Sequence, residues 1–177
     1  LLITPCRKGT KTYEYRNADS MASPSPQGNG RFLAAYKVEL NPDGTLRSYE
    51  RCGEESAAEK NAGIWYVYLE TAHDSPWFNG QSYVDTLNPE AVRYFLEVTH
   101  EKYRQAVGEA FGKTIPAIFT DEPQFGKKGC LGNAGAMEEV MLPYTEDFAE
   151  TYQSTYGEDL LDHIPELLWE LPGEAVS

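Results

Sequence analysis

The stretch GIWYVYLET, residues 63–71, decides how this chain is to be folded. Ile64, Trp65, Tyr66, Val67, Tyr68 and Leu69 are apolar or aromatic without alternation, so the segment offers both faces to a core. Branched and aromatic side chains in a run of this length fit a strand. Strands covered on both faces are typical of parallel sheets, whose crossover helices lie on either side. The flanking residues then have to supply a helix and a second strand in the right order.

They read that way. AHDSPWFNGQSYVDTLNPE, residues 72–90, is a long loop heavy in aromatics, and a helix follows. Asn88 is a good N-cap, Pro89 fits the first helical position, and Glu90 suits the positive end of the helix dipole. Val92, Phe95, Leu96, Thr99, Tyr103, Ala106, Ala110 and Phe111 recur at three and four, which predicts one apolar stripe over 89–111. Gly112, or Gly108 one turn earlier, ends it. TIPAIFT, residues 114–120, then reads as a short buried strand running into Asp121, Glu122 and Pro123. Strand 64–71, helix 89–111 and strand 115–120 make one β-α-β unit, right-handed with parallel strands. The expected fold class is α/β, either a small domain or a portion of a TIM-type (β/α)8 barrel.

Upstream, FLAAYKVELNPDGTLRSYERC, residues 32–52, predicts a hairpin. Tyr36, Val38 and Leu40 alternate with Lys37 and Glu39, and Asn41-Pro42-Asp43-Gly44 is turn chemistry. Residues 16–31 are a Ser/Pro/Gly/Asn-rich loop and 53–63 a polar connection. Downstream, the glycine-rich 126–137 reads as a mobile loop, and a second helix opens at Thr145. Its buried stripe would be Phe148, Tyr152 and Tyr156, and Gly157 its end; a short helix broken at Pro165 follows. Two regions result: a β-rich hairpin part, 1–62, and an α/β part, 63–177.

Composition narrows the function. A hydrophobic content of 41% allows a sizeable core, and a net charge of -13 leaves no basic stripe for phosphates, so neither nucleic acid nor an anionic membrane surface is an expected partner. A neutral or cationic ligand remains. Cys6, Cys52 and Cys130 are too few and too scattered for a disulfide framework, and read as free thiols. No signal-peptide layout or membrane-length apolar run is present, so a cytoplasmic location is expected; the missing initial Met leaves an upstream piece open.

Read together, YVDTLNPEAVRYFLEVTHEKYRQAVGEAFGKTIPAIFTDEP and the later LPYTEDFAETYQSTYGEDLLDHIPEL resemble a group of large bacterial glycoside hydrolases with (β/α)8 catalytic barrels, loosely related to α-L-rhamnosidases. The likeness spans roughly residues 66–170. It implies that Asp121 and Glu122 stand at the carboxyl rim of the sheet, where such barrels carry their chemistry. Thr120-Asp121-Glu122-Pro123 is similar to the Asn-Glu-Pro turn of retaining glycosidases, in which the glutamate is the acid/base. Asp121 stands in place of the Asn and has no amide N–H to donate, which leaves retaining and inverting outcomes both open.

Cleaving a glycosidic bond takes a proton for the leaving oxygen and a second carboxylate as base or nucleophile. Glu122 is the expected acid, with Asp121 positioning it, binding a sugar hydroxyl or holding a cation such as calcium; a solvated pair capping a strand is the plain alternative. Candidates within the chain for the partner carboxylate are Glu70, Asp74 and Asp85, each read more readily as a binding or structural group. Sugar contact is expected from Glu70, Asn79 and Asp85 and the flat faces of Trp77, Phe78 and Tyr83, and His73 reads as a ligand for a hydroxyl or a metal. The aromatic pair at 77–78 could equally plug a barrel mouth or pack on the hairpin. Histidine spacing gives no zinc site, and no cofactor is expected, calcium apart. His100 and His163 read as structural. The expected function is glycoside hydrolysis; the competing one is a non-catalytic carbohydrate-binding or scaffold domain. An apolar face left bare would be covered by self-association or by the rest of a barrel.

Overall fold

The computed structural model describes residues 1–5, 30–53, 63–72, 74–119 and 128–173. Five strands form one sheet: β1 (Leu2–Thr4), β2 (Arg31–Leu40), β3 (Leu46–Cys52), β4 (Ile64–Leu69) and β5 (Val140–Met141), in the order β3-β2-β4-β1-β5. Every pairing in it is antiparallel. The expectation of a parallel, TIM-type barrel portion is therefore wrong.

The two-sided burial of β4 is nonetheless real, since Ile64 to Tyr68 are all buried. Its error lay in the inference from cover to direction. Burial reports what lies above and below a strand, whereas strand direction is set by the neighbours that hydrogen-bond to it. Those neighbours are β2 on one side and β1 on the other, from a four-residue apolar start that gave no strand signal of its own. One sheet thus draws strands from either side of the 62/63 boundary.

The expected hairpin is present as β2 and β3, with Tyr36 opposite Arg51 and Val38 opposite Tyr49. Its turn is tied by Gly44 N–H to Asn41 O (2.9 Å) and by Asp43 Oδ1, which accepts from the Thr45 N–H (3.0 Å) and hydroxyl (2.8 Å). Gly44 has φ +88°, and a Cβ there would stand 2.8 Å from that of Ala134, so both backbone and space demand glycine.

Side chains alternate between two cores. Tyr36, Val38, Trp65, Val67, Ile3 and Val140 face one cluster; Leu2, Ala35, Ile64, Tyr66 and Tyr68 face the other. A bulge between Phe32 and Ala34 puts Leu33 and Ala34 on the same side, so both join the first cluster. That cluster is roofed by Leu142, Leu160, Ile164 and Trp169. Each such buried large side chain contributes roughly 1.5–3 kcal/mol.

The helical expectation over 89–111 holds in part. Asn88 Oδ1 caps α1 (Pro89–Val98), accepting from the N–H groups of Glu90 (2.9 Å) and Ala91 (3.3 Å). The helix breaks at Thr99, whose hydroxyl donates back to Phe95 O, and resumes as α2 (His100–Val107). A 3-10 turn starts at Gly108, and a tight turn at Gly112 (φ +72°) brings Ile115 beside Phe111 in an isolated bridge. No strand follows. Residues 116–119 have no regular structure, and Ile118 and Phe119 are 59% and 85% exposed. Pro116 removes a ladder donor from the middle of the run, so apolar composition alone did not make a strand.

α3 (Phe148–Tyr156) ends at Gly157 in the left-handed conformation, as its sequence predicts. Its aromatic stripe is not buried: no residue of α3 is, and Tyr156 is 67% exposed. The final segment forms 3-10 turns at Leu160–Asp162 and Ile164–Leu167 rather than an α-helix.

Candidate functional site

Asp121, Glu122 and His73 lie outside the described residues, as do Thr120, Pro123 and Cys6. The remaining sequence candidates, Glu70, Asp74, Trp77, Phe78, Asn79, Tyr83 and Asp85, follow one another from the end of β4 into the start of α1.

Glu70 directly follows β4. Its Oε2 is buried, and its carboxyl group packs on Gly30, where an added Cβ would come within 2.5 Å of Cδ and Oε1 and 2.7 Å of Leu69 O. The absence of a side chain at residue 30 thus makes the room that Glu70 fills. Glu70 stands at the sheet end, half-buried, with one carboxylate oxygen enclosed and the other against Gly30.

The loop beyond it is built by its own hydrogen bonds. Ser75 and Gln81 form an antiparallel bridge, Ser75 N–H donating to Gln81 O (3.0 Å) and Gly80 N–H to Ser75 O (2.9 Å). Between them Pro76–Phe78 make a 3-10 turn, capped by Ser75 Oγ on the Trp77 N–H (3.2 Å). Asn79 closes it with φ 56°, a left-handed conformation Asn adopts more readily than most residues. Phe78 is half-buried and tilts against Tyr83, ring centroids 5.0 Å apart, while Trp77 is 63% exposed. Trp77 is therefore outside both cores formed by the described residues. It projects from a turn whose backbone is fixed and whose base is the Phe78–Tyr83 pair.

The two loop aspartates are less available. Asp74 Oδ1 accepts from Ser82 Oγ (2.9 Å), and Asp85 Oδ1 from Leu87 N–H (3.1 Å), ahead of the Asn88 cap. Both carboxylates shape the loop. Asn79 is exposed beside Trp77, and its amide carries both donors and an acceptor.

A second polar cluster was not legible from the sequence. Tyr49 Oη donates to Glu166 Oε1 (2.5 Å), His163 faces Glu166 through Nδ1 (3.2 Å) and Glu158 through Nε2 (2.9 Å), and Arg51 Nη1 pairs with Asp159 and Asp162, both at 2.9 Å. Tyr36 Oη donates to Leu161 O. Burial pushes the Tyr36 and Tyr49 phenols up, and the Arg51 hydrogen bond holds Asp159 below the usual carboxylate range. The contacts of Tyr36, Tyr49 and Arg51 join residues more than 100 positions apart and fasten the 3-10 turns to the hairpin, while those of His163 are local. Their arrangement is that of a brace.

Among the described residues no group of three or more His, Cys, Asp or Glu side chains converges to hold a metal ion, and no helix is long and apolar enough to cross a membrane. Cys52 and Cys130 are free thiols, and burial raises the pKa of Cys52. Comparison with protein families, with curated proteins and with solved structures finds no match for this chain.

Proposed function

We propose that the chain binds neutral carbohydrate through the loop at residues 75–83, with the Trp77 ring as the platform for a sugar face and Asn79 as its hydroxyl partner. The observation that carries this reading is the 63% exposure of Trp77 on a turn held by its own backbone hydrogen bonds. A large aromatic side chain in water is unfavourable unless something covers it, and the C–H face of a pyranose is a flat apolar partner for it. A preordered turn keeps the ordering cost of binding low. The chain's net charge of -13 disfavours anionic ligands and leaves neutral sugars unaffected.

Cleavage of the bound glycoside is a second reading, favoured by the Thr120-Asp121-Glu122-Pro123 resemblance. Glu122 would pass its proton to the leaving oxygen, and a further carboxylate would act as base or nucleophile. The parallel-barrel rim expected for that glutamate is overturned by the antiparallel sheet, so the tetrad's likeness alone supports this reading. Affinity electrophoresis through neutral polysaccharides tests the first reading, with Trp77→Ala expected to migrate unretarded. Reducing-sugar release by the chain and by Glu122→Gln tests the second. Retarded chains that release nothing would leave a binding module; retardation unchanged by Trp77→Ala would remove the platform.

A further inference from the structure

The turn that carries Trp77 also holds an Asn-Gly pair, Asn79 and Gly80, with both residues exposed. A glycine after asparagine leaves its backbone nitrogen open to attack the side-chain amide, because no Cβ obstructs the approach. Here even a Cβ added at Gly80 would meet nothing within 4 Å, so no neighbour bars the way. Two features of the closed turn do. The Gly80 N–H is engaged, donating to Ser75 O (2.9 Å). Asn79 is left-handed, with φ 56° and ψ 36°, which sets the Gly80 nitrogen nearly anti to the Asn79 Cβ. Ring closure between them needs the two nearly eclipsed.

We propose that Asn79 is a self-modification site, converted to an aspartyl or isoaspartyl residue when the 75–81 turn opens and kept as asparagine while it is closed. On opening, ψ at Asn79 rotates and the Gly80 nitrogen, giving up its proton to water or hydroxide, bonds to Asn79 Cγ. The side-chain nitrogen takes up a proton and leaves as ammonia. A five-membered succinimide remains. Water then adds to one of its two carbonyl carbons and breaks that carbon's bond to the Gly80 nitrogen. Attack at Cγ gives an aspartyl residue, and attack at the main-chain carbonyl gives an isoaspartyl one. Water is the only co-reactant, and nothing is oxidised or reduced. Either product places a carboxylate beside Trp77, and the isoaspartyl product also lengthens the backbone of the turn by one carbon. Sugar binding at this loop is not required for any of these steps.

Peptide mapping by mass spectrometry tests this on the full chain, aged at mildly alkaline pH with and without guanidinium chloride. Asn29-Gly30 is the chain's other Asn-Gly pair and serves as the internal reference for the chemistry. In the denaturant, residues 29 and 79 are expected to convert at similar rates, with isoaspartate at both. In the folded chain, conversion at residue 79 should be at least about tenfold slower, since attack waits for local opening. Gly80→Ala, read in the denaturant where folding is not at issue, should slow conversion at residue 79 about tenfold by placing a methyl group next to the attacking nitrogen. Equal rates at residue 79 in the folded and unfolded chain overturn the proposal, because the turn then guards nothing. Conversion at residue 29 with residue 79 spared in the denaturant overturns it as well. So does a rate unmoved by Gly80→Ala, which would make water rather than Gly80 the nucleophile.

Discussion

The indole of Trp169 meets that of Trp65 edge to face, ring centroids 5.1 Å apart, so the last described turn closes on the central strand of the sheet. Trp169 is 5% exposed and its Nε1–H donates to Ala134 O (2.9 Å), which also ties in the loop before β5. Trp169→Ala removes the ring from the roof of the first core and leaves that carbonyl without its donor. The expected loss is about 3–5 kcal/mol in urea unfolding followed by circular dichroism. Trp169→Phe keeps an aromatic ring but not the donor, and should cost less.

Arg51 with Asp159 gives a pH signature. The guanidinium holds the Asp159 carboxyl below the ordinary aspartate value of about 3.9, so the folded state binds that proton less readily than the unfolded chain. The stabilisation is fully present above that value and is lost as the pH falls through the depressed one. Side-chain exposures of 36% and 45% mean that solvent screens the pair, so about 1 kcal/mol or less is at stake. Arg51→Met should lower stability at neutral pH and flatten the decline below pH 4, read as urea midpoints from about pH 6 downward. An acid limb unchanged by the substitution would place the effect elsewhere.

Gly30 and Glu70 should be energetically coupled. Gly30→Ala drives a methyl group into the Glu70 carboxyl and towards Leu69 O. The side chain is able to move aside and the backbone oxygen is not, so a loss of about 1–3 kcal/mol is expected. Adding Glu70→Ala should recover part of it and no more. A double-mutant cycle without coupling would contradict the packing described at this corner.

Local chemistry was legible where the responsible residues are neighbours in sequence. The Asn41–Thr45 turn, the Asn88 cap and the Gly157 stop each use a side chain or a glycine within a few positions of the backbone it serves, and each is found. Long-range choices were not. Nothing in Leu2–Thr4 announces that it will lie between β4 and β5 and pair antiparallel with both. The stripe from Val92 to Phe111 gave helix in part, as two helices broken at Thr99 and ending at Val107, and amphipathicity records a preference for cover rather than a partner within the same chain. At the candidate site, the aromatic residues of the 75–83 loop were named from composition, whereas the roles of Asp74 and Asp85 in shaping it emerge only from their hydrogen bonds. The bonds from Tyr49 to Glu166 and from Arg51 to Asp159 and Asp162 join distant segments and had no local pattern to betray them.

Trp77 itself provides the most direct measurement. Of the three tryptophans, Trp65 and Trp169 are 4% and 5% exposed, so acrylamide quenching of indole fluorescence reports chiefly on Trp77. Titration with neutral oligosaccharides should shift emission to shorter wavelength and protect it from the quencher, and Trp77→Ala should abolish both effects. Quenching that stays the same at saturating concentrations of every neutral sugar tried, with the sheet intact by circular dichroism, would contradict a sugar-binding role for this loop.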